Sequence, residues 1–162
     1  MPWQSFLRPE MEHYGLWKGV YDRVIIPGWA LEAAHASPLK RLLVLAADWC
    51  GDAANTVPVM ARLADLVPAM ELRILERDAH PEVMSAYLTN GSRSIPLAIL
   101  LDQAFSELGH WGPRPAALQE WVLEHLKLMP SPQRYAYARQ WYARDRGETT
   151  LREILEAVGG EG

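Results

Sequence analysis

The stretch from Arg41 to Val59 constrains the fold of this chain more than any other part of its sequence. Its first part, 42–47, is a short apolar run without alternation, which is typical of a strand buried on both faces. The letters DWCGDA follow, and a helical pattern then begins. Cys50 is therefore predicted to lie where a buried strand meets a helix, facing the unpaired N–H groups of the helix start. Such a position favours a thiolate.

The composition indicates one ordinary globular domain. The chain has 162 residues, of which 49% are hydrophobic and 22% charged, and this excludes a disordered protein. A net charge of −4 gives no reason to expect nucleic acid or an acidic membrane surface as a partner. We expect no signal peptide and no membrane span. Because Cys50 is the single cysteine, no intramolecular disulfide can form, and a reducing, cytoplasmic compartment fits best.

Periodicity and punctuation predict alternating strands and helices. The strands are expected at 42–47, 71–77, 97–102 and 104–111, and the helices at 9–24, 29–36, 53–67, 81–88, 116–128, 133–146 and 151–158. The first two strands flank a helix and should be parallel. The last two are joined by a tight turn and should be antiparallel. Thr150 and Glu153 have the spacing of a capping box for the last helix.

This order places Trp-Cys-Gly at the first strand–helix junction and Ser-Ile-Pro before the third strand, and it resembles the thioredoxin superfamily. The resemblance implies an α/β thioredoxin fold, with a central mixed sheet of about four strands flanked by helices. We expect a single domain over 1–162, with its core at about 39–128 and extra helical extensions at 1–38 and 129–162. More narrowly, WCGDA followed by YLTNGSRSIP resembles bacterial thioredoxin-like proteins.

The resemblance also implies a site. The cysteine that matches Cys50 is the attacking thiol in the family, and the proline that matches Pro96 follows a cis peptide bond in a loop that faces this thiol. Trp49 and Ile95 would then flank the thiol as apolar walls. The residues expected to contact substrate are Trp49, Gly51, Asp52, Ala53, Arg93, Ser94, Ile95 and Pro96. No cofactor and no metal are expected, and the five histidines lack metal-ligand spacing.

Two departures from the family pattern narrow the chemistry. Ala53 stands where dithiol members have their second cysteine, and Val44 stands where many members have a buried acid. A lone thiolate can still attack a disulfide, but an external thiol must resolve the mixed disulfide. The predicted function is therefore thiol–disulfide exchange through Cys50, in the context of cell redox homeostasis, with protein or small-molecule thiols and disulfides as partners.

The sequence leaves two questions open: whether the pKa of Cys50 is lowered or raised, and whether the thiol reacts at all. The helix start should lower the pKa of Cys50, whereas the like charges of Asp48 and Asp52 should raise it, and Arg93 would offset them if its loop faces the thiol. The alternative function is a non-catalytic binding module that uses the groove around Trp49, Ile95 and Pro96 for a peptide or small ligand.

Overall fold

The computed structural model describes residues 1–158 and contains one four-stranded mixed sheet. Residues 159–162 of the expected C-terminal extension lie outside the described part. The strands are β1 (Arg41–Ala46), β2 (Glu71–Glu76), β3 (Leu97–Leu101) and β4 (Glu107–Trp111), in the spatial order β2-β1-β3-β4. β1 is parallel to β2 and antiparallel to β3, and β4 is antiparallel to β3. The predicted mixed α/β sheet and both predicted strand orientations are confirmed.

Eight α-helices surround this sheet in the described part of the chain. They are α1 (Trp3–Phe6), α2 (Tyr14–Arg23), α3 (Gly28–Ala36), α4 (Gly51–Leu66), α5 (Pro81–Ser85), α6 (Ala116–His125), α7 (Ser131–Asp145) and α8 (Glu148–Ala157). A 3-10 turn, Arg77–Ala79, precedes α5. None of the helices within residues 1–158 has the length and apolar character needed to cross a membrane.

The core lies around β1, the strand on which Val44 stands where many members of the family have a buried acid. Val44 pairs with Ile74 on one side and Ala98 on the other, and all three side chains are fully buried. The apolar run of β1 therefore forms a strand covered on both faces, as its lack of alternation predicted. The terminal helices complete the same core with Trp3, Phe6, Trp17, Leu151 and Ile154.

The N-terminal region differs from the sequence prediction in one respect. A single helix was expected from residue 9 to 24, but α2 begins at Tyr14 and a short helix, α1, precedes it. The reason is His13, whose backbone is left-handed with φ of 60°. A residue in this conformation interrupts a right-handed helix, so α2 can begin only after it. The indole N–H of Trp17 on α2 donates to the carbonyl of Asp48, at 3.0 Å. The N-terminal helices thus hold the segment that leads to Cys50.

The predicted capping box of Thr150 and Glu153 at the start of the last helix is wrong. α8 begins at Glu148, so Thr150 lies inside the helix and is buried rather than capping its start. The carboxylate of Glu153 instead accepts the indole N–H of Trp111, at 2.8 Å, and the backbone N–H of Ala116, at 2.9 Å. Glu153 therefore joins α8 to the end of β4 and to the start of α6, which a local sequence pattern could not reveal.

β4 begins later than predicted. The chain from Asp102 to Ser106 forms a turn, because the Asp102 carboxylate accepts the backbone N–H groups of Ala104 and Ser106, both at 2.9 Å. Phe105 in this turn has a positive φ of 69°, which excludes it from a strand. The remaining boundaries differ by a few residues at element ends and leave the predicted order unchanged.

Candidate functional site

Cys50 is the N-cap residue of α4. β1 ends at Ala46, a short turn follows, and the helix starts at Gly51, two residues before the predicted start. The thiol Sγ accepts the backbone N–H of Ala53 at 3.4 Å, as an N-cap side chain does. Cys50 is therefore placed at the strand–helix junction that the sequence predicted, with the helix start directed at its sulfur.

The second motif meets the first at this sulfur. The Ile95-Pro96 peptide bond is cis, as the family resemblance implied. The Cys50 thiol donates to the Ile95 carbonyl, with a distance of 3.6 Å from Sγ to the oxygen. Pro96 and Ile95 are both buried, and Ser94 is half-buried. The loop before β3 thus faces the thiol.

A second cis peptide bond, Gly112-Pro113, lies in the loop after β4 and was not predicted. Gly112 has a φ of 135°, and a Cβ at this position would lie 2.1 Å from the Pro96 carbonyl oxygen. Only glycine fits such a close backbone approach. The loop after β4 is consequently packed against the loop that carries Pro96, and this brings Arg114 to the site.

The sequence left the direction of the shift in the Cys50 pKa open, and the folded structure gives a raised pKa. Burial raises the pKa of the Cys50 thiol above its ordinary value, because the side chain is only 8% exposed and a buried thiolate is poorly solvated. The Ala53 N–H lowers this pKa, the Asp52 carboxylate raises it, and the Arg114 guanidinium lowers it. The helix start therefore acts in the predicted direction, but burial outweighs it.

Three side chains near the thiol, Asp52, Arg114 and Tyr142, form what we call the buried flank: Tyr142 is buried, and Asp52 and Arg114 are half-buried. Arg114 Nε donates to Asp52 Oδ2 at 3.0 Å, and the Tyr142 hydroxyl donates to Asp52 Oδ1 at 2.7 Å. Burial, followed by the charge of Asp52, raises the pKa of Tyr142 well above its ordinary value. Tyr142 lies on α7, in the C-terminal extension.

Sequence reasoning missed Arg114 and Tyr142, which lie 62 and 90 residues from Asp52 along the chain. The one available signal was that Arg114 sits between two prolines, in a break that follows β4. No local pattern distinguishes Tyr142 from the other tyrosines of α7.

A second group, the exposed flank, consists of Trp49, Arg77, Asp78 and Arg93, and it adjoins the thiol through Trp49, the residue before Cys50 in the chain. The Trp49 ring is 45% exposed, and the Arg77 guanidinium lies over it at 5.0 Å. Arg77 also donates to the Arg93 carbonyl at 3.0 Å, and Arg93 pairs with Asp78 at 2.8 Å. The hydrogen bond from Arg77 holds the pKa of Asp78 below its usual range. Arg93 is thus directed at Asp78, and the arginine beside Asp52 is Arg114.

The remaining expected site residues differ in accessibility. Gly51 is exposed at the helix start. Ala53, which stands where dithiol members have their second cysteine, is fully buried. The Asp48 carboxylate accepts the Glu12 N–H at 3.2 Å. Within residues 1–158, no three His, Cys, Asp or Glu side chains are grouped in a way that could hold a metal ion.

Comparisons with known proteins agree with this architecture. The family model Thioredoxin_9, described as thioredoxin, matches residues 1–133, and so includes the N-terminal helices as well as the sheet. No curated protein sequence matches the chain. Two crystal structures are similar in fold: PA1234 from Pseudomonas aeruginosa, a protein of unknown function, with a TM-score of 0.75, and the HIV epitope scaffold 4E10_S0, with a TM-score of 0.72. Each is 19% identical, and each match covers 99% of this chain and 93% of the other.

Proposed function

The chain belongs to this thioredoxin family, and from that premise we propose that it is a redox protein that works through the single thiol of Cys50. The narrower assignment, to bacterial single-cysteine members acting in the cytoplasm, is part of the same proposal. A reducing compartment would supply the external thiol that such a protein needs.

The proposed reaction is a pair of exchanges with no net gain of electrons by the protein. The Cys50 thiolate attacks one sulfur of a disulfide, a bond forms between Cys50 and that sulfur, and the second sulfur leaves as a thiolate. An external thiolate then attacks the partner sulfur of this mixed disulfide and releases Cys50. The partner becomes disulfide-bonded to the external thiol. Since Ala53 has no sulfur, Cys50 cannot be released from within the site.

The observation that supports this best is the placement of Sγ between the Ala53 N–H and the Ile95 carbonyl. The N–H stabilises the thiolate by a hydrogen bond, and the loop before Pro96 offers backbone groups to an incoming chain. The exposed Trp49 ring beside the thiol provides an apolar surface for the partner.

The raised pKa of Cys50 sets the kinetics that we expect. At neutral pH only a small fraction of the thiol is ionised, so attack is slow. A thiol of high pKa is also a poor leaving group, so the mixed disulfide is broken slowly once it has formed. The proposed protein therefore holds its partner covalently for longer than a dithiol protein does.

The direct test is the reaction with oxidised glutathione, followed by intact-protein mass spectrometry from pH 6 to 10. We expect one adduct per chain, a rate that rises about tenfold per pH unit below the pKa, and release by reduced glutathione. Cys50→Ser should form none. If the folded wild-type chain forms no adduct at any of these pH values, the proposal fails.

Ala53→Cys provides a matched gain-of-function variant. The native chain should not turn over with a dithiol-specific reductase, because it cannot form an intramolecular disulfide. The variant places a second sulfur three residues after Cys50, and it should become oxidisable to that disulfide. Vigorous turnover by the native chain would contradict the single-thiol mechanism.

A second candidate is a binding module that does not use the thiol chemically. The observation in its favour is the burial of Cys50 beside an exposed Trp49, which leaves an apolar surface but little accessible sulfur. Capture of partners by the wild-type chain and by Cys50→Ser separates the two. Partners released only by a reductant and lost in Cys50→Ser favour redox exchange, whereas partners retained by Cys50→Ser favour the module.

A further inference from the structure

Asp48 and Asp52 each lie two residues from Cys50 along the chain, and both carboxylate oxygens of Asp52 are engaged by other side chains. Arg114 occupies one and Tyr142 the other, as described above. The Asp52 side chain is 17% exposed and that of Arg114 is 24% exposed, so water screens this pair only in part. An uncompensated carboxylate in this position would oppose a thiolate on Cys50 strongly.

We propose that Arg114 and Tyr142 are positioning residues, which hold and neutralise the Asp52 carboxylate so that Cys50 can form a thiolate. The inference rests on the proposed function, since it concerns the same thiol. It also assigns a role to the C-terminal extension, because Tyr142 lies on α7.

Arg114 is fixed by its surroundings. Its Nε donates to Asp52, and its Nη1 donates to Gln119 Oε1 at 2.6 Å. The loop that carries it is packed against the Pro96 carbonyl through Gly112, where no side chain would fit. The guanidinium therefore remains near the thiol, and its charge lowers the pKa of Cys50.

Tyr142 is fixed by a small apolar cluster that it forms with Leu118 and Val122 of α6. Burial raises its pKa, so the hydroxyl keeps its proton across the neutral range and remains a donor to Asp52. The Tyr142 hydroxyl donates to the Asp52 carboxylate, and through this hydrogen bond it acts on the thiol.

The other charged groups around the site are occupied elsewhere. Asp48, in the turn before α4, accepts the Glu12 N–H. Arg93, on the loop before β3, pairs with Asp78, and Arg77 lies over Trp49. The groups that face the thiol from α4, from the loop before α6 and from α7 are accordingly Asp52, Arg114 and Tyr142.

The test is the rate of Cys50 alkylation by iodoacetamide against pH, with the full chain. Asp52→Asn should lower the midpoint of this profile, and Arg114→Gln should raise it, each by on the order of 0.5 pH unit. Tyr142→Phe keeps the ring and removes only the hydroxyl, and it should give a smaller rise. Arg73→Gln, which removes an exposed ion pair with Glu71, is the matched control and should leave the midpoint unchanged.

Two further variants separate this role from a merely structural one. In the Asp52→Asn background, Arg114→Gln should shift the midpoint less than in the wild-type chain, because the charge that it compensates is gone. Arg114→Lys keeps the positive charge and should recover most of the wild-type midpoint. Equal midpoints for Arg114→Lys and Arg114→Gln would overturn the proposal, even if these variants are less stable. So would wild-type midpoints in both Arg114→Gln and Tyr142→Phe.

Alkylation reports the ionisation of Cys50 whether or not the protein exchanges disulfides. Shifted midpoints together with no glutathione adduct would refute the proposed function and support the positioning roles. Adduct formation with unshifted midpoints would do the reverse.

Discussion

The two flanks of Cys50 use the same chemistry in different surroundings. Each contains an arginine–aspartate pair, Arg114 with Asp52 on the buried flank and Arg93 with Asp78 on the exposed flank. The Asp78 side chain is 63% exposed, whereas that of Asp52 is 17% exposed. Only the buried pair contributes to the pKa of the thiol.

The two pairs differ in their access to water, and this access sets how strongly an ion pair is screened. Water and salt screen an exposed pair, and the ordering of two long side chains offsets most of its attraction. A pair with little access to water is screened less, and removing one partner leaves the other desolvated and uncompensated. The comparison can be tested in three ways.

The largest expected effect is on stability. Asp52→Ala leaves the buried Tyr142 hydroxyl and the Arg114 guanidinium without their acceptor, and it should reduce the free energy of unfolding by about 2–3 kcal/mol. Asp78→Ala removes the exposed equivalent and should leave the urea midpoint unchanged within the error of the measurement. Urea denaturation at neutral pH measures both.

Asp52→Asn is the control for this comparison, because it keeps the size of the side chain and one acceptor oxygen while it removes the charge. It should be less destabilising than Asp52→Ala. Equal losses for Asp52→Ala and Asp78→Ala would show that the flanks do not differ in the way proposed.

The next effect is a difference in pH dependence. The pKa values of Cys50 and Tyr142 are raised in the folded chain, so their contribution is complete below the unfolded values, near ~8.5 and ~10, and is lost as the pH rises through the folded values. The pKa of Asp78 is lowered, so its contribution is present above about 4 and is lost as the pH falls. The buried flank should therefore weaken at alkaline pH, whereas any contribution of the exposed flank, which we expect to be small, should be lost only at acidic pH.

Urea titrations from pH 8 to 11 test the alkaline half of this prediction. Stability should fall with a slope of at most about 1.4 kcal/mol per pH unit for each group. Cys50→Ser should flatten the first part of the decline, and Tyr142→Phe should flatten the part above about pH 10. A decline that is identical in the wild-type chain and both variants would contradict the assignment.

The smallest effect is that of salt. Raising the NaCl concentration from about 0.05 to 1 M shortens the screening length from well above 10 Å to about 3 Å. Any loss seen in Asp78→Asn at low salt should disappear at high salt, whereas the loss in Asp52→Ala should persist. Denaturation of both variants at the two salt concentrations distinguishes them, and a salt-sensitive loss in Asp52→Ala would place Asp52 in a more open setting.

Local patterns and the pair of matched motifs predicted the sheet and the meeting of Cys50 with the loop of Pro96. The apolar run of β1, the N-cap position of Cys50 and the cis Pro96 all follow from short stretches of sequence or from the motif pair that resembles thioredoxins. These features depend on residues that are close in the chain, on strand burial or on a matched motif. Information of this kind can be obtained from the amino-acid sequence alone.

The buried flank was not predictable in the same way. Asp52 was expected to oppose the thiolate, and it does, but Arg114 and Tyr142 reach it only after the whole chain has packed. Glu153 shows the same limit, because tertiary contacts with Trp111 and Ala116 displaced its predicted capping role. The balance between helix start and burial at Cys50 likewise required the folded structure.

The 90 residues between Asp52 and Tyr142 have a consequence for the newly made protein. Synthesis proceeds from the N-terminus at about 5–20 residues per second, so Cys50 is made about 5–20 s before the tyrosine that completes its surroundings. During this interval Asp52 lacks the hydroxyl donor that Tyr142 provides. We expect the pH at which Cys50 ionises to reach its final value only after α7 has left the ribosome and packed against α6.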